Sequence, residues 1–329
     1  MRSHKTILIS LLLPKQTQTS MSLLILSPTR ETDSWVKAIR EEDSSIPIAV
    51  YSERTNLSEI DFVLTWNHPY GVFEKFPNLK CISSMGAGVD YLLKDPDLPL
   101  NVPITRIVDP ELSKTMFEFI LSLLLNQMRG LSHFKQLQLL NQWKPKMYKR
   151  IEDVRVGIMG LGVIGSYVAE RLMNLGFSVH AWAQSEKPNS KAEVFVGLNQ
   201  LKSFMQKSDF LVCLLPSTPA TRAFLNKETL SMLPAGAILI NVARGDILVE
   251  NDLIEMLDSG HIEAASLDVF WQEPLPATHP FWEHEKIDIT PHVASLTNPK
   301  TVAPQIVENY WRMKKGDACL NEVSKEKGY

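Results

Sequence analysis

Cysteine is scarce in this chain, and its placement excludes two kinds of protein. Cys81, Cys213 and Cys319 are an odd number in 329 residues, lie far apart along the sequence and include no C-x-x-C. That pattern favours neither a disulfide scaffold nor a cysteine metal site; Cys81 and Cys213 fall in apolar, strand-like runs, so buried thiols in a reducing compartment are expected. Charge of one sign is lacking too. Lys and Arg number 34 against 37 Asp and Glu, a net charge of -3 without a long single-sign block, which removes the electrostatic case for a nucleic-acid partner. A membrane-length hydrophobic run is the third absence. The apolar stretch in Met1-Arg-Ser-His-Lys-Thr-Ile-Leu-Ile-Ser-Leu-Leu-Leu-Pro14 is too short to span a bilayer, and Gln16-Thr-Gln-Thr-Ser20 is not a small-residue cleavage pattern. Residues 1–20 are therefore expected to be an extension, disordered or added by an upstream start codon, and not an export signal. No membrane partner is expected.

What is present begins with Val154-Arg-Val-Gly-Ile-Met-Gly160-Leu161-Gly162-Val163-Ile164-Gly165. An apolar strand pattern runs into G-x-G-x-x-G and then into a helical pattern carried by Val168, Ala169, Leu172 and Leu175. Each glycine has its own task in a dinucleotide cradle: Gly160 for the tight turn, Gly162 for close approach of a pyrophosphate, Gly165 for helix-on-strand packing. The free amides and partial positive charge of the helix N-terminus face the phosphates. Six residues, Gly160, Leu161, Gly162, Val163, Ile164 and Gly165, are thus assigned to cofactor binding.

A further lack concerns the second strand of this unit. NAD-binding units place an Asp or Glu there, about 20 residues on, to bind the ribose hydroxyls. After Phe177-Ser-Val-His-Ala-Trp182 the chain instead reads Ala183-Gln184-Ser185-Glu186-Lys187. Nothing acidic at Ala183 repels a 2′-phosphate, and Gln184, Ser185 and Lys187 are candidates to hold one. Glu186 argues the other way, and an ordinary solvated turn accounts equally well for Lys187. NADPH is the expected cofactor, with NADH possible.

Elsewhere short apolar runs alternate with helical patterns. Strands are predicted near residues 23–26, 61–65, 79–84, 208–215, 236–242, 262–269 and 287–290, and helices over 35–42, 116–129 and 300–314. This alternation argues an α/β fold of two Rossmann-like domains with doubly wound parallel sheets. Residues 21–112 and 293–329 are read as a substrate domain, with a nucleotide-binding domain over 113–292 inserted into it. Open parallel sheets bind ligands at their carboxyl ends. Three such ends carry polar residues: Asn241-Val242-Ala243-Arg244-Gly245, Asp268-Val-Phe-Trp-Gln-Glu273-Pro274 and Thr290-Pro291-His292-Val-Ala-Ser295. Arg244 offers a planar fork for a carboxylate and a neighbouring carbonyl. His292 can give a proton to the carbonyl oxygen while hydride reaches carbon, and Glu273 can orient the imidazole and favour its protonated form. Singly, a surface arginine in a glycine turn, a solvated loop acid and a satisfied core histidine are plain alternatives. Their order at successive strand ends favours a hydride-transfer site for a 2-keto acid.

That order of motifs, from about Met21 to Tyr329, resembles the D-isomer-specific 2-hydroxyacid dehydrogenase family. Met85-Gly86-Ala87-Gly88-Val89-Asp90, the helix over 118–129, Trp143-Lys-Pro145 and the ending Lys327-Gly328-Tyr329 are most similar to the branch that reduces glyoxylate and hydroxypyruvate. The resemblance implies reduction of these acids to glycolate and D-glycerate, usually with NADPH, in a cytoplasmic homodimer without metal. It gives Arg244 the substrate-binding role, His292 the acid role and Glu273 that of its partner. Gly86, Ala87 and Gly88 become the loop whose amides receive the substrate carboxylate, and Trp66 falls near a substrate wall. Pro216, Val242, Ala243 and Asp268 join the cofactor set. For Trp66 and Trp143 core packing is the default expectation. Relatives that prefer NADP carry arginines where this chain has Gln184 and Glu186. Three other activities fit parts of the pattern: reduction of a larger 2-keto acid, non-catalytic NAD(H) sensing, and methyl transfer, which would need no Arg244 and His292 pair.

Overall fold

The computed structural model describes residues 22–328, so the extension read at 1–20 lies outside the described residues. Apolar runs in the first hundred residues pair in parallel as β1 (Ser22–Leu26), β2 (Ile48–Val50), β3 (Ile60–Thr65), β4 (Cys81–Ser84) and β5 (Ile104–Thr105), in the order β2-β1-β3-β4-β5. Helices α1 (Asp33–Glu42) and α2 (Asp90–Leu93) lie between them in sequence. The strands are apolar throughout because both faces are covered: Leu23 and Ile25 enter one core, Leu24 and Leu26 the other.

Helix α3 (Pro110–Arg129) leads out of this layer. It begins earlier than the apolar periodicity predicts. Asp109 accepts from the Glu111 amide at 3.0 Å, Pro110 takes the first helical position, and Leu112 is already buried in the first core. Met116, Ile120, Leu124 and Met128 of the same helix then join the second core. An unpredicted helix, α4 (Leu131–Leu139), follows the left-handed Gly130.

The second sheet holds β6 (Arg155–Met159), β7 (Ser178–Ala183), β8 (Glu193–Val196), β9 (Phe210–Cys213), β10 (Ala237–Asn241), β11 (Ile262–Leu267) and β12 (Ile287–Ile289), all parallel, in the order β12-β11-β10-β9-β6-β7-β8. Its helices are α5 (Val163–Asn174), α6 (Leu201–Gln206), α7 (Lys227–Leu230) and α8 (Glu250–Asp258). Strand order reverses between β6 and β9, the switch point at which doubly wound sheets open a crevice. Asp288, on β12, ties that edge to the crossing helices, accepting from Asn126, Gln127 and Ser132 at 2.8 to 3.0 Å. The last helix, α9 (Pro299–Lys315), returns to the first layer, burying Val302, Ala303, Ile306 and Tyr310 with Trp35 and Ile39 of α1.

All three cysteines are free, and Cys81 and Cys213 are buried as expected. Distance along the chain misleads for one pair, however, since the Cys81 and Cys319 sulfurs stand 4.0 Å apart. Among the described residues no helix is long and apolar enough to cross a membrane.

The glycines of the β6–α5 turn differ in what a side chain would meet. A Cβ on Gly165 would fall on the Gly160 carbonyl oxygen, whereas one on Gly162 would meet nothing within 4 Å. Gly165→Ala is expected to lose roughly 1–3 kcal/mol of stability, as overpacking does. Gly162→Ala should stay within about 1 kcal/mol of the parent. Urea denaturation of both variants measures the difference, and equal stabilities would remove the packing account of Gly165.

Candidate active site

The carboxyl ends of the two sheets hold the site. On the second sheet, Gly160 adopts φ +109°, and a Cβ there would stand 2.8 Å from the Leu214 carbonyl, so the chain turns only with glycine. Its amide donates to the Trp182 carbonyl at 2.9 Å, which brings the end of β7 beside the turn. Ser166 N–H to Gly162 O, at 2.9 Å, opens α5; the amides of Val163 and Ile164 have no acceptor among the described residues. The open space before Gly162 and these free donors together suit phosphate oxygens. Leu161 is buried, Ile164 packs on the core edge and Val163 is exposed.

Strand β7 ends at the buried Ala183, after which Gln184, Ser185, Glu186 and Lys187 are all exposed. Pro216 follows β9 and accepts from the Thr221 hydroxyl at 2.6 Å through its carbonyl. Val242 and Ala243 are buried beyond β10. These positions share the carboxyl edge with the glycine turn.

Asp268, at the end of β11, is 1% exposed and fully engaged. Its carboxylate accepts from the Thr290 hydroxyl at 2.6 Å and from the amides of Val293 and Ala294, each at 2.9 Å. Its carbonyl accepts from the His292 amide at 2.8 Å. These bonds hold His292 at φ +53°, a conformation a side chain rarely adopts without such enforcement. The ring is thereby aimed at Glu273: Nδ1–H donates to Oε2 at 2.7 Å, while Oε1 accepts from the Phe270 amide at 3.1 Å. Nε2 is left for another partner. Burial raises the Glu273 carboxyl, but the His292 hydrogen bond and charge outweigh it and hold the group below its ordinary range.

Arg244 crosses from the second sheet to the first. Nη1 donates to the Ala243 carbonyl at 2.6 Å and Nε to Asp90 Oδ1 at 2.8 Å. The guanidinium fills the space where a side chain on residue 88 would begin, which explains Gly88. Burial raises the Asp90 carboxyl, yet the adjacent guanidinium holds it below the ordinary value. A carboxyl depressed in this way lends its stability at neutral pH and loses it only as pH falls through the lowered value. Lys94, just past α2, adds a second tie, 3.0 Å from Asp246 beyond β10.

On the first sheet, Gly86 N–H donates to Ser84 Oγ at 3.1 Å, and Ser84 Oγ–H donates to the Gly88 carbonyl at 2.9 Å. The amides of Ala87 and Gly88 have no acceptor among the described residues. They lie beside Arg244. Trp66 stands against Gly86, where a Cβ would come within 2.7 Å of its ring, and 5.0 Å from the Tyr91 ring centroid. It is half-buried at the rim of the site. Trp143, by contrast, is 98% exposed, correcting the expectation of core packing. Sequence reading gave no role to Asp90, Lys94 or Arg30; Asp90 ended a quoted motif, but its partner is 154 residues away.

The family model for the NAD-binding domain of D-isomer specific 2-hydroxyacid dehydrogenases matches residues 121–294. A glyoxylate/hydroxypyruvate reductase A of Photorhabdus laumondii is 36% identical over 94% of this chain and all of its own length. A D-isomer specific 2-hydroxyacid dehydrogenase of Xanthobacter autotrophicus Py2, solved with NADPH and MES, is 38% identical with a TM-score of 0.89, covering 94% of this chain and all of that one. The NADPH-dependent glyoxylate/hydroxypyruvate reductase of Sinorhizobium meliloti, solved with NADP and sulfate, is 32% identical with a TM-score of 0.87 over the same shares. Because the likeness spans both sheets and not the nucleotide-binding half alone, the chain belongs to the D-isomer specific 2-hydroxyacid dehydrogenase family.

Proposed function

We propose that this chain reduces glyoxylate to glycolate and hydroxypyruvate to D-glycerate, accepting NADPH at least as well as NADH. The observation that carries the reading is the His292–Glu273 contact of 2.7 Å, facing an arginine and two free amides across the cleft from a glycine cradle. The bound nucleotide supplies hydride. Gly160, Gly162 and Gly165, with the first amides of α5, hold its pyrophosphate, and Gln184, Ser185 and Lys187 meet the 2′-phosphate. Pro216, Val242 and Ala243 wall the nicotinamide side, and Asp268 positions the loop of His292. On the substrate side, the amides of Ala87 and Gly88 take the carboxylate. Arg244, held rigid by Asp90 and the Ala243 carbonyl, turns its remaining Nη2 toward carboxylate and carbonyl. His292 gives the proton from Nε2 to the carbonyl oxygen, and Glu273 fixes the ring through Nδ1. Residues 21–112 and 293–329 serve the substrate, and 113–292 the nucleotide.

We also propose a homodimer in the cytoplasm. Free cysteines suit a reducing compartment. From the last residue of α4 onward, Leu139, Leu140, Trp143 and Met147 are exposed, the last two at 98% and 91%, and aromatic and methionine side chains are the ones that interfaces bury. A second copy of the chain is the occupant. Light scattering should give a dimer, and Trp143→Ser with Met147→Ser should give monomer; an unchanged mass in the double variant would place the interface elsewhere.

Two further outcomes test the chemistry. NADPH should be oxidised with glyoxylate or hydroxypyruvate, Ala183→Asp should shift preference toward NADH, and Gly162→Ala should raise the KM for NADPH while the protein stays folded. Absence of turnover with any small 2-keto acid and either nucleotide rejects the reading. His292→Ala should lower kcat ~10²–10⁴-fold with NADPH still bound, the usual contribution of a positioned general acid. Glu273→Gln should be milder. Removing a carboxylate 2.7 Å from the ring removes the charge that favours its proton, so the reductive rate should begin to fall at lower pH than in the parent. Superimposable pH profiles would take Glu273 out of the partner role.

A further inference from the structure

Arg30 is a second guanidinium at the site, and nothing in the chemistry above employs it. The turn Ser27-Pro28-Thr29-Arg30 follows β1, Trp66 follows β3, and Gly86 to Gly88 follow β4. β1, β3 and β4 are neighbours in the first sheet, so all three turns open on the same edge. The Arg30 Cζ lies 3.7 Å from the Trp66 ring centroid, and Trp66 in turn abuts Gly86. On the far side of the same short loop, Arg244 occupies the space beside Gly88. The loop is therefore flanked by two guanidinium groups. Two extended residues span at most ~7 Å, so the loop these two groups flank is short.

Arg244 has Asp90 as its counter-ion, but Arg30 has no carboxylate within ion-pair distance among the described residues. Stacking on Trp66 offsets part of the cost of withdrawing a cation from water, and does nothing for its repulsion from Arg244. Burial, with Arg244 adding to it and Tyr91 opposing, presses the guanidinium below its ordinary pKa, in keeping with a charge that lacks an anion. A half-buried, unpaired cation on the wall of a cleft that takes acids is completed by an oxygen arriving with the ligand.

We propose that Arg30 forms a distal subsite: it donates to an oxygen on the end of the 2-keto acid away from the reacting carbonyl, the C3 hydroxyl of hydroxypyruvate or the second carboxylate of a short 2-keto diacid. This rests on the reductase reading and deepens it. Glyoxylate has no such oxygen, so Arg30 separates the two substrates: it leaves glyoxylate to Arg244 and the loop amides and favours the three- and four-carbon acids.

Steady-state kinetics with NADPH on the full chain, using glyoxylate, hydroxypyruvate and oxaloacetate, test this in the parent, Arg30→Met and Arg30→Lys. The kcat/KM ratio of hydroxypyruvate to glyoxylate should fall about tenfold or more in Arg30→Met, mainly through the KM for hydroxypyruvate, as expected for loss of a charged hydrogen bond. Oxaloacetate should lose most. Arg30→Lys, which keeps the charge and gives up the fork and the stack, should recover part of the ratio. Equal losses on all three acids, or no loss in a folded Arg30→Met, would overturn the distal subsite while leaving the reductase reading intact. A parent chain that turns over none of the acids rejects the reductase reading itself.

Discussion

The contact on which this site depends is Arg244 seated against Gly88 and paired with Asp90. It is where the two sheets meet in chemistry as well as in space. The guanidinium comes from the turn after β10, the glycine and the carboxylate from the loop after β4, and each requires the other. Any side chain at 88 would occupy the position of the guanidinium; without Asp90 the arginine would lose the acceptor that fixes its Nε. A fork with two of its donors committed gives up the freedom to bind both oxygens of a ligand, and in exchange its remaining edge is already oriented. Lys94 and Asp246 repeat the same arrangement a short way along, so the cleft is closed by opposite charges carried on different sheets.

The second constraint is a buried carboxylate acting through backbone. Asp268 makes no contact with Glu273, yet it sets the geometry of the His292–Glu273 pair. It accepts bonds on both sides of His292 and keeps that residue left-handed. The cost of burying the charge is met by the three donors around it, the condition under which buried ions persist. The acid at the end of β11 is thus accounted for by the loop it shapes. The fold supplies rigid strand ends, and short side chains at those ends convert rigidity into aim.

Legibility followed distance along the chain. The glycine cradle was readable because its strand, turn and helix are contiguous and each glycine answers a local steric demand; the structure assigns Gly160 and Gly165 close backbone neighbours and Gly162 open space, as the motif implies. Arg244, Glu273 and His292 were readable as polar residues ending apolar strands. Asp90, Lys94 and Arg30 were not, because an acid after a glycine loop, a lysine at a helix end and a turn arginine look solvated until a partner 150 residues away, or an aromatic from another strand, is brought beside them. Trp143 failed for the opposite reason. Hydrophobicity says that a tryptophan gains from cover, but not that its own core supplies it, and here it does not. The start of α3 was set by a cap and a proline, local signals that apolar periodicity overlooks.

Charge within the cleft ties these pieces to the direction of the reaction. Arg30 and Arg244 contribute two positive charges and Asp90, Glu273 and the buried Asp268 three negative ones, with Lys94 and Asp246 cancelling, so the sum around a neutral His292 ring is -1, in a chain whose net charge is -3. On the proposed reading, protonation of the ring brings that sum to zero at the moment a keto acid, itself an anion, is to be bound. Transfer of that proton to the product oxygen neutralises the ring, while a nucleotide that had given hydride would carry one more positive charge, so the charge beside the carboxylate is moved and not lost. Arg30 and Arg244 keep their charge throughout, so the carboxylate is held by the same two cations before and after reduction, in a site where partial exclusion of water makes each count for more than it would at the surface. Proton and hydride delivery together leave the total charge of the filled site unchanged, and what changes is where the positive charge sits: on the ring beside Glu273 before the step, on the nucleotide after it.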